Sequence, residues 1–318
     1  MTANLDTGRV LIRLTGFDGR VTGVQVNCER PEVSQLLRGR TTQQVVRMVS
    51  SMFALCGQAQ TRAAVLAMSA ARGEECNPML DQDVRCEALR EHLWHCLLDL
   101  PPLMGQAEFK QEFVLGAKAI ANWQRDDLHA LLSRQSILGL RMHLPEFDGR
   151  HISQQLLPRL SARDSLLAWT RLSSEFCRSP LWQGAAAVTG ALTRNADSVT
   201  AFFSAHWQAR FDELTKWASG HDAVGCVGTV SAIPIASGIG RALVETARGL
   251  LMHEVVLDGD VVADYHIAAP TEWNFHPQGV LHDQLMGADA HDRNELRQQV
   301  TRLVITLDPC VPWELEWA

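Results

Sequence analysis

Nowhere in its 318 residues does the sequence hold an apolar run near the roughly 18 residues that a membrane-spanning helix needs. The first thirty residues also lack the apolar stretch of a secretion signal, because Arg9, Arg13, Asp18 and Arg20 interrupt it. A basic surplus is missing too, since the formal net charge is −7. Nucleic acid and anionic membranes both select a basic face, so neither is expected as a partner. The eight cysteines (28, 56, 76, 86, 96, 177, 226 and 310) show no C-x-x-C and no disulfide-framework spacing. Without a secretion signal, that points to reduced thiols and a cytoplasmic location. There is no internal repeat and no low-complexity segment. What is present is a globular composition, 46% hydrophobic and 20% charged, with ample residues for a core.

Hydrophobic period places the elements. Val10, Ile12 and Leu14 alternate, Asp18-Gly19 supplies a turn, and Val21 to Val26 returns, which predicts a hairpin over 9–26. Helical spacing follows over 41–53, 58–72 and 84–98, the last ending before Pro101-Pro102. The pattern stays helical from 105 to 220, where Phe202, Phe203, Trp207, Phe211, Leu214 and Trp217 make a stripe whose plain reading is core. Near 220 glycine, serine and proline become frequent, and a second hairpin is expected, Glu254–Leu257 and Val261–Ala268 around Asp258-Gly259-Asp260. Gly238-x-Gly240 lacks the third glycine and the preceding strand of a dinucleotide fingerprint and is discounted. Leu303 to Leu307 reads as a strand. The tail after it, Asp308 to Ala318 with Cys310, Trp313 and Trp317, is too apolar to fray and is expected to be buried. The expected fold class is α+β in one domain over 1–318, with the 9–26 hairpin, a mainly helical 32–220 and a C-terminal 238–318.

Three places carry chemistry on their own residues. Cys56-Gly57 opens a helix, where unpaired amide N–H groups and the positive dipole end lower a thiol pKa and suit a metal ligand; an inert core cysteine beside a cap is the plainer alternative. His92 and His95 share a helix face, yet Leu93, Trp94, Leu97 and Leu98 surround them, which favours packing or hydrogen bonding over a metal. Arg248 beside Gly249 at a hairpin mouth can aim five donors at an anion or make an ordinary ion pair.

Taken in order, these pieces resemble the large subunit of nickel–iron hydrogenases. Leu55-Cys56-Gly57-Gln58-Ala59 is similar to the family's first Cys-Gly-x-Cys, and Asp308-Pro309-Cys310-Val311-Pro312-Trp313 to its terminal Asp-Pro-Cys-x-x-Cys. Gly240 to Asn274, with Ala247-Arg248-Gly249 and Pro270-Thr271-Glu272-Trp273-Asn274, resembles the family nearly continuously, and 85–103 looks like its helix ending in a Leu-Pro pair. The match covers about 10–100 and 238–318, and the middle does not align.

The resemblance implies a large-subunit-like fold and a depleted metal site. Ala59 and Trp313 stand where each cysteine pair has its second member, leaving two thiolates of four, at the positions of the terminal nickel ligands. Arg13-Leu14-Thr15-Gly16 puts Thr15 where the family has its proton-relay glutamate, Glu316 falls at its terminal histidine, and the extension removed after nickel insertion is not expected beyond Ala318. Neither nickel nor enzyme activity is therefore expected. The residues that hydrogen-bond the cyanides on iron do have counterparts, Arg248 and Thr271, which follows Pro270. A cradle for an Fe(CN)2CO unit and two soft thiolates, Cys56 and Cys310, thus persist. This combination resembles the HupK/HoxV type of hydrogenase accessory protein. The implied function is a maturation scaffold or chaperone that holds Fe(CN)2CO transiently for the hydrogenase large-subunit precursor, with hydrogenase maturation proteins as partners. The alternative is a metal-free mimic of the large subunit that binds maturation factors and regulates assembly. A redox enzyme with a single metal is a third reading, left without a nameable third ligand.

Overall fold

Alternation builds the first element. Val10, Ile12 and Leu14 turn one face of β1 (Arg9–Phe17) inward, and β2 (Arg20–Glu29) returns antiparallel through Asp18-Gly19, both left-handed at φ 50° and 68°. Two such residues make the tight turn whose twist matches the strands. The computed structural model describes residues 8–145, 155–195 and 201–318.

The other edge of β1 is taken by the end of the chain. With β3 (Cys76–Leu80), β4 (Thr229–Ala236), β5 (Ile239–Thr246), β6 (Gly249–Asp258) and β7 (Val261–Ala268) forming a separate antiparallel sheet in that order, β8 (Trp313–Trp317) joins the first, ordered β2-β1-β8. It runs parallel to β1, Val10 opposite Trp313 and Leu14 opposite Trp317. Trp-Glu-Leu-Glu-Trp is itself an alternating pattern. Its three apolar residues pack on a core containing Leu296, Val300 and Val304, while Glu314 and Glu316 face Arg9 and Arg13 at 2.6 and 2.7 Å. Exposed ion pairs add little, so the apolar face pins the tail.

The strand expected over 303–307 is instead the end of the Arg293–Leu307 helix. β-Branched residues there suit a strand. The wider spacing decides otherwise: Leu296, Val300, Leu303, Val304 and Leu307 are buried three and four residues apart, and the Asp292 carboxylate caps the start by accepting from the Asn294 and Glu295 amides. Asp308, left-handed at φ 57°, ends the helix. The tail is pinned by a strand that follows Cys310 rather than precedes it, and it is not buried as expected. Beyond Asp308 its residues are half-buried or exposed, because β8 is an edge strand with one face to solvent.

Against β4, β5 and β6 lies the Gly57–Ala71 helix, burying Ala59, Ala63, Ala64, Ala67 and Ala70. Gly240 on β5 sets the closeness: a Cβ there would overlap the Ala67 carbonyl oxygen and the Ala71 amide nitrogen, backbone that cannot step aside. The glycine discounted as a nucleotide signal is a point of close approach between strand and helix. Gly240→Ala is expected to lift this helix, with Cys56 at its start, off the sheet and to cost about 1–3 kcal/mol or more. Urea denaturation measures it; an unchanged midpoint would mean that the helix slides freely.

On the helical side, Gln82–Trp94, Lys110–Ala121, Arg125–Leu132 and Phe202–Ala218 enclose Trp207, Phe211, Leu214 and Trp217, the stripe read as core. The first of these does not stop short of the prolines. It widens into a π turn over His95–Asp99 and resumes over Leu100–Leu103. Pro101 has no N–H for the Leu97 carbonyl, which accepts from the Phe109 amide at 2.9 Å instead. Among the described residues no helix is long and apolar enough to cross a membrane.

A buried ion cluster ties helices to the larger sheet. Arg194 donates through Nε and Nη2 to Glu213 (2.6 and 3.0 Å) and through Nη1 to Glu245 on β5 (2.8 Å). His92 Nε2 meets Glu213 at 2.6 Å. Burial opposes the Glu213 charge, but Arg194 and His92 outweigh it and hold the carboxyl well below its usual range. That stabilisation is complete above the ordinary carboxylate pKa, roughly pH 4, and is lost as pH falls toward the folded value. Glu245, lifted by burial against the pull of Arg194, acts oppositely, weakening the fold as pH rises above that range. Urea midpoints at about pH 3, 5 and 8 are expected to peak at the middle value, with the steep loss on the acid side.

Candidate metal centre

Cys56 caps the Gly57–Ala71 helix in a non-helical conformation (φ −129°, ψ 37°). The expected lowering of its thiol pKa is reversed. Glu87, from the neighbouring helix, already accepts from the Gln58 and Ala59 amides at 2.8 and 3.0 Å, so the helix end is neutralised. Burial, then the charges of Cys310 and Glu91, push the thiol up to about 12, with Arg248 pulling the other way. Such a sulfur stays protonated until something cationic takes the proton's place.

Cys310 reaches the same place from the far end of the chain. The left-handed turn at Asp308 redirects the backbone after the Arg293–Leu307 helix, and the Cys310 amide donates to Thr271 Oγ1 at 3.2 Å. That hydroxyl donates back to Cys310 Sγ at 3.1 Å. Thr271 is fully buried in the short helix Pro270–Asn274, where Pro270 fits a first-turn position that needs no N–H. Asn274 locks the parts together: its Nδ2 donates to the carbonyls of Arg248 (3.2 Å) and Leu307 (3.5 Å), and its Oδ1 accepts from the Thr189 amide at 2.9 Å.

Arg248 sits in the turn between β5 and β6, only 7% exposed, so it is no ordinary surface ion pair. Nη1 reaches Glu91 Oε2 at 2.5 Å, and Nε lies 3.3 Å from Asp308 Oδ1 without an aligned hydrogen bond. Burial, which disfavours the cation, is outweighed by Asp308, Glu91, Cys310 and Cys56, and its pKa is raised. One guanidinium thus answers two carboxylates and both sulfurs. Asp308 is held well below its usual range, burial being outweighed by Arg248 and His95. His95 bridges Asp308 (2.9 Å) and Asp99 (2.6 Å), and those partners raise its pKa against burial. Glu91 is lifted by burial to about 7 despite Arg248, and its Oε1 is buried without a hydrogen-bond partner among the described residues.

The structure therefore brings Cys56, Cys310, Arg248, Pro270 and Thr271 to one place, between the helix start, the β5–β6 turn and the tail. It gives His92 and His95 different partners: His92 Nε2 meets Glu213 while its buried Nδ1 has no hydrogen-bond partner among the described residues, and His95 meets Asp99 and Asp308. Ala59 is sealed in the core, Trp313 starts β8, and Glu316 pairs outward with Arg13. Thr15 pairs with Gly23 toward the hairpin turn, whereas the Cys310 loop meets β1 at Val10, whose amide donates to the Pro312 carbonyl. Sequence reasoning missed Glu91 and Asp308 as partners of Arg248, and His95 as a partner of Asp308. An acid and a histidine four apart on one helix face were the available signal. Cys28 and Arg30, paired with Glu272, border the site and act electrostatically on or through Cys310.

Among the described residues no three His, Cys, Asp or Glu side chains stand together as a metal-ligand group. The arrangement suits a metal that arrives with most of its ligands attached. Two thiols supply soft donors. The buried Arg248 Nε–H, without an aligned acceptor, supplies a donor toward small anionic ligands, whereas the Thr271 proton is directed at Cys310 Sγ.

The family model described as nickel-dependent hydrogenase matches residues 179–312. The hydrogenase expression/formation protein HoxV of Cupriavidus necator is 31% identical, over 96% of this chain and 95% of its own. The hydrogenase expression/formation proteins HupK of Bradyrhizobium diazoefficiens and Azotobacter vinelandii are each 28% identical, over 91% and 97% of this chain and 90% and 98% of theirs. Among solved structures, the reduced, active nickel–iron–selenium hydrogenase of Desulfomicrobium baculatum superposes with a TM-score of 0.56 at 14% identity, covering 93% of this chain and 95% of that one. That last likeness establishes the fold, α+β as expected.

Proposed function

This chain belongs to the family of hydrogenase expression/formation proteins that includes HoxV and HupK, and from that premise we propose that it serves nickel–iron hydrogenase maturation as a scaffold for the iron unit. Its cargo is Fe(CN)2CO, held transiently and passed to the hydrogenase large-subunit precursor. Cys56 and Cys310 bind the iron, and Arg248, Pro270 and Thr271 orient the diatomic ligands. Nickel has no place in this reading, and the protein turns over no substrate of its own. It works in the cytoplasm with the maturation proteins that build and collect the unit.

The observation that carries the reading is geometric: Arg248 is buried between Glu91 and Asp308 with an Nε–H that has no aligned acceptor, while Cys310 Sγ accepts from the buried Thr271 hydroxyl. Binding iron takes the place of the Cys56 proton, whose loss burial opposes first and the charge of Cys310 second. Two protein ligands in place of four suit a group that must leave again.

The test is an infrared spectrum of the protein purified without oxygen from cells that contain the maturation machinery. Iron-bound carbonyl and cyanide stretch in a window almost free of protein bands, and both are expected. Their absence, in a protein that still supports maturation, would replace the scaffold by a metal-free mimic of the large subunit that binds maturation factors.

A further inference from the structure

Behind Cys56, three side chains outside the proposed cradle form one line of hydrogen bonds. Gln60, one turn along the helix, brings Nε2 to 3.8 Å from Cys56 Sγ. Its Oε1 meets His253 Nε2 at 2.8 Å, and His253 Nδ1 meets the Tyr265 hydroxyl at 2.7 Å. His253 on β6 and Tyr265 on β7 are fully buried, Gln60 is 2% exposed, and Tyr265 is the only tyrosine in the chain. Packing alone does not call for a polar file inside an otherwise apolar layer of Ala63, Ala64, Val244 and Val255.

The proton positions follow from one another. With the amide nitrogen of Gln60 toward the sulfur, its oxygen accepts, so the ring carries its proton on Nε2. Burial holds His253 down to about 3, which keeps the ring neutral and leaves Nδ1 bare. Nδ1 then accepts from the Tyr265 O–H. Every donor points the same way, from Tyr265 through His253 and Gln60 to Cys56.

We propose that Tyr265, His253 and Gln60 are a one-way donor relay that positions the Cys56 sulfur and tempers its charge. Aligned hydrogen bonds polarise one another, and groups behind a metal ligand set how strongly it donates. A sulfur that accepts such a bond grips a bound metal less tightly, which fits cargo meant for release. The role in release rests on the iron reading above; the relay itself is testable without iron.

Nitrogen NMR of the metal-free, unsubstituted chain reads the His253 tautomer and so depends on no variant folding. The Nε2–H form is expected; the Nδ1–H form would reverse the line of donors and overturn the proposal. Alkylation of Cys56 by iodoacetamide at fixed pH, with Cys310 in the same sample as reference, supplies the second readout. A sulfur that loses its donor spends less time as thiolate. Tyr265→Phe leaves the surroundings of the sulfur untouched and is expected to slow Cys56 relative to Cys310 by about two- to fivefold, Gln60→Leu by about five- to tenfold. Unchanged ratios in both variants overturn the relay whether or not the protein carries iron. The expected tautomer and ratios, in a protein without carbonyl bands, uphold the relay and sink the iron reading alone.

Discussion

Serine in place of Cys310 is expected to abolish iron loading while leaving the fold intact. A serine hydroxyl can accept from Thr271 Oγ1 where Sγ does at 3.1 Å, and the 3.2 Å bond from the amide of residue 310 to Thr271 Oγ1 is backbone and stays. Stability should shift by less than about 1 kcal/mol. What serine cannot offer is a soft, ionisable sulfur. Partners behind a metal ligand already cost about 10–100-fold when removed, so losing one of two protein ligands should weaken the carbonyl and cyanide bands by more than about tenfold. Hydrogenase maturation should fall with them, and Cys56→Ser should behave alike. Cys28→Ser is the informative comparison, because Cys28 is also half-buried and also interacts with Cys310, yet it faces Glu272. Bands that survive in Cys28→Ser and vanish in Cys310→Ser fit the assignment. The reverse pattern would move the iron to a different pair of sulfurs.

Methionine at position 194 is expected to be the most destabilising single change away from that site. Arg194 is buried and supplies three hydrogen bonds to Glu213 and Glu245, which are buried as well. Without it, Glu213 keeps His92 and Asn195 alone among the described residues, and the His92 pKa is lowered, chiefly by burial. Breaking one partner from a buried ion cluster costs about 3–5 kcal/mol, because the remaining charges stay desolvated. Adding Glu213→Gln and Glu245→Gln should recover part of that loss, since the same volume is then filled without unpaired charge. Urea denaturation near neutral pH decides it. An Arg194→Met chain as stable as the parent would mean that both carboxyls take up protons at little cost.

Much of the local structure is legible in the sequence because it depends on period and turn chemistry alone. The Asp18-Gly19 hairpin, the helices at 42–52 and 57–71 and the β6–β7 pair follow from alternation or helical spacing within a dozen residues. The strand expected at 303–307 fails for a related reason: a short β-branched run is ambiguous until the buried positions upstream, Leu296 and Val300, are counted with it. The candidate site is legible as motifs but not as electrostatics. Nothing local in Cys56-Gly57 announces that Glu87 would occupy the helix end and that Cys310 would lift the thiol. Likewise, the partners of Arg248 come from the Gln82–Trp94 helix and a left-handed residue far apart in the chain, and the reason for Gly240 lies on a helix 170 positions earlier. Long-range pairing decides these features, and sequence windows do not contain it.

The parallel pairing of β8 with β1 also sets the order in which the molecule can be completed. Arg9 and Glu314, partners across that pairing, are 305 positions apart. Contacts of such separation pay the loop-closure entropy before they return any stabilisation, so they form late. Cys56 belongs to a helix and sheet that can assemble from nearer neighbours, whereas the place of Cys310 is defined only when the last strand closes against the first. A ligand that requires both sulfurs therefore meets no binding site on a half-folded chain. On the scaffold reading, loading would wait for the end of folding, and the topology would act as a clock that keeps the iron unit off incomplete molecules.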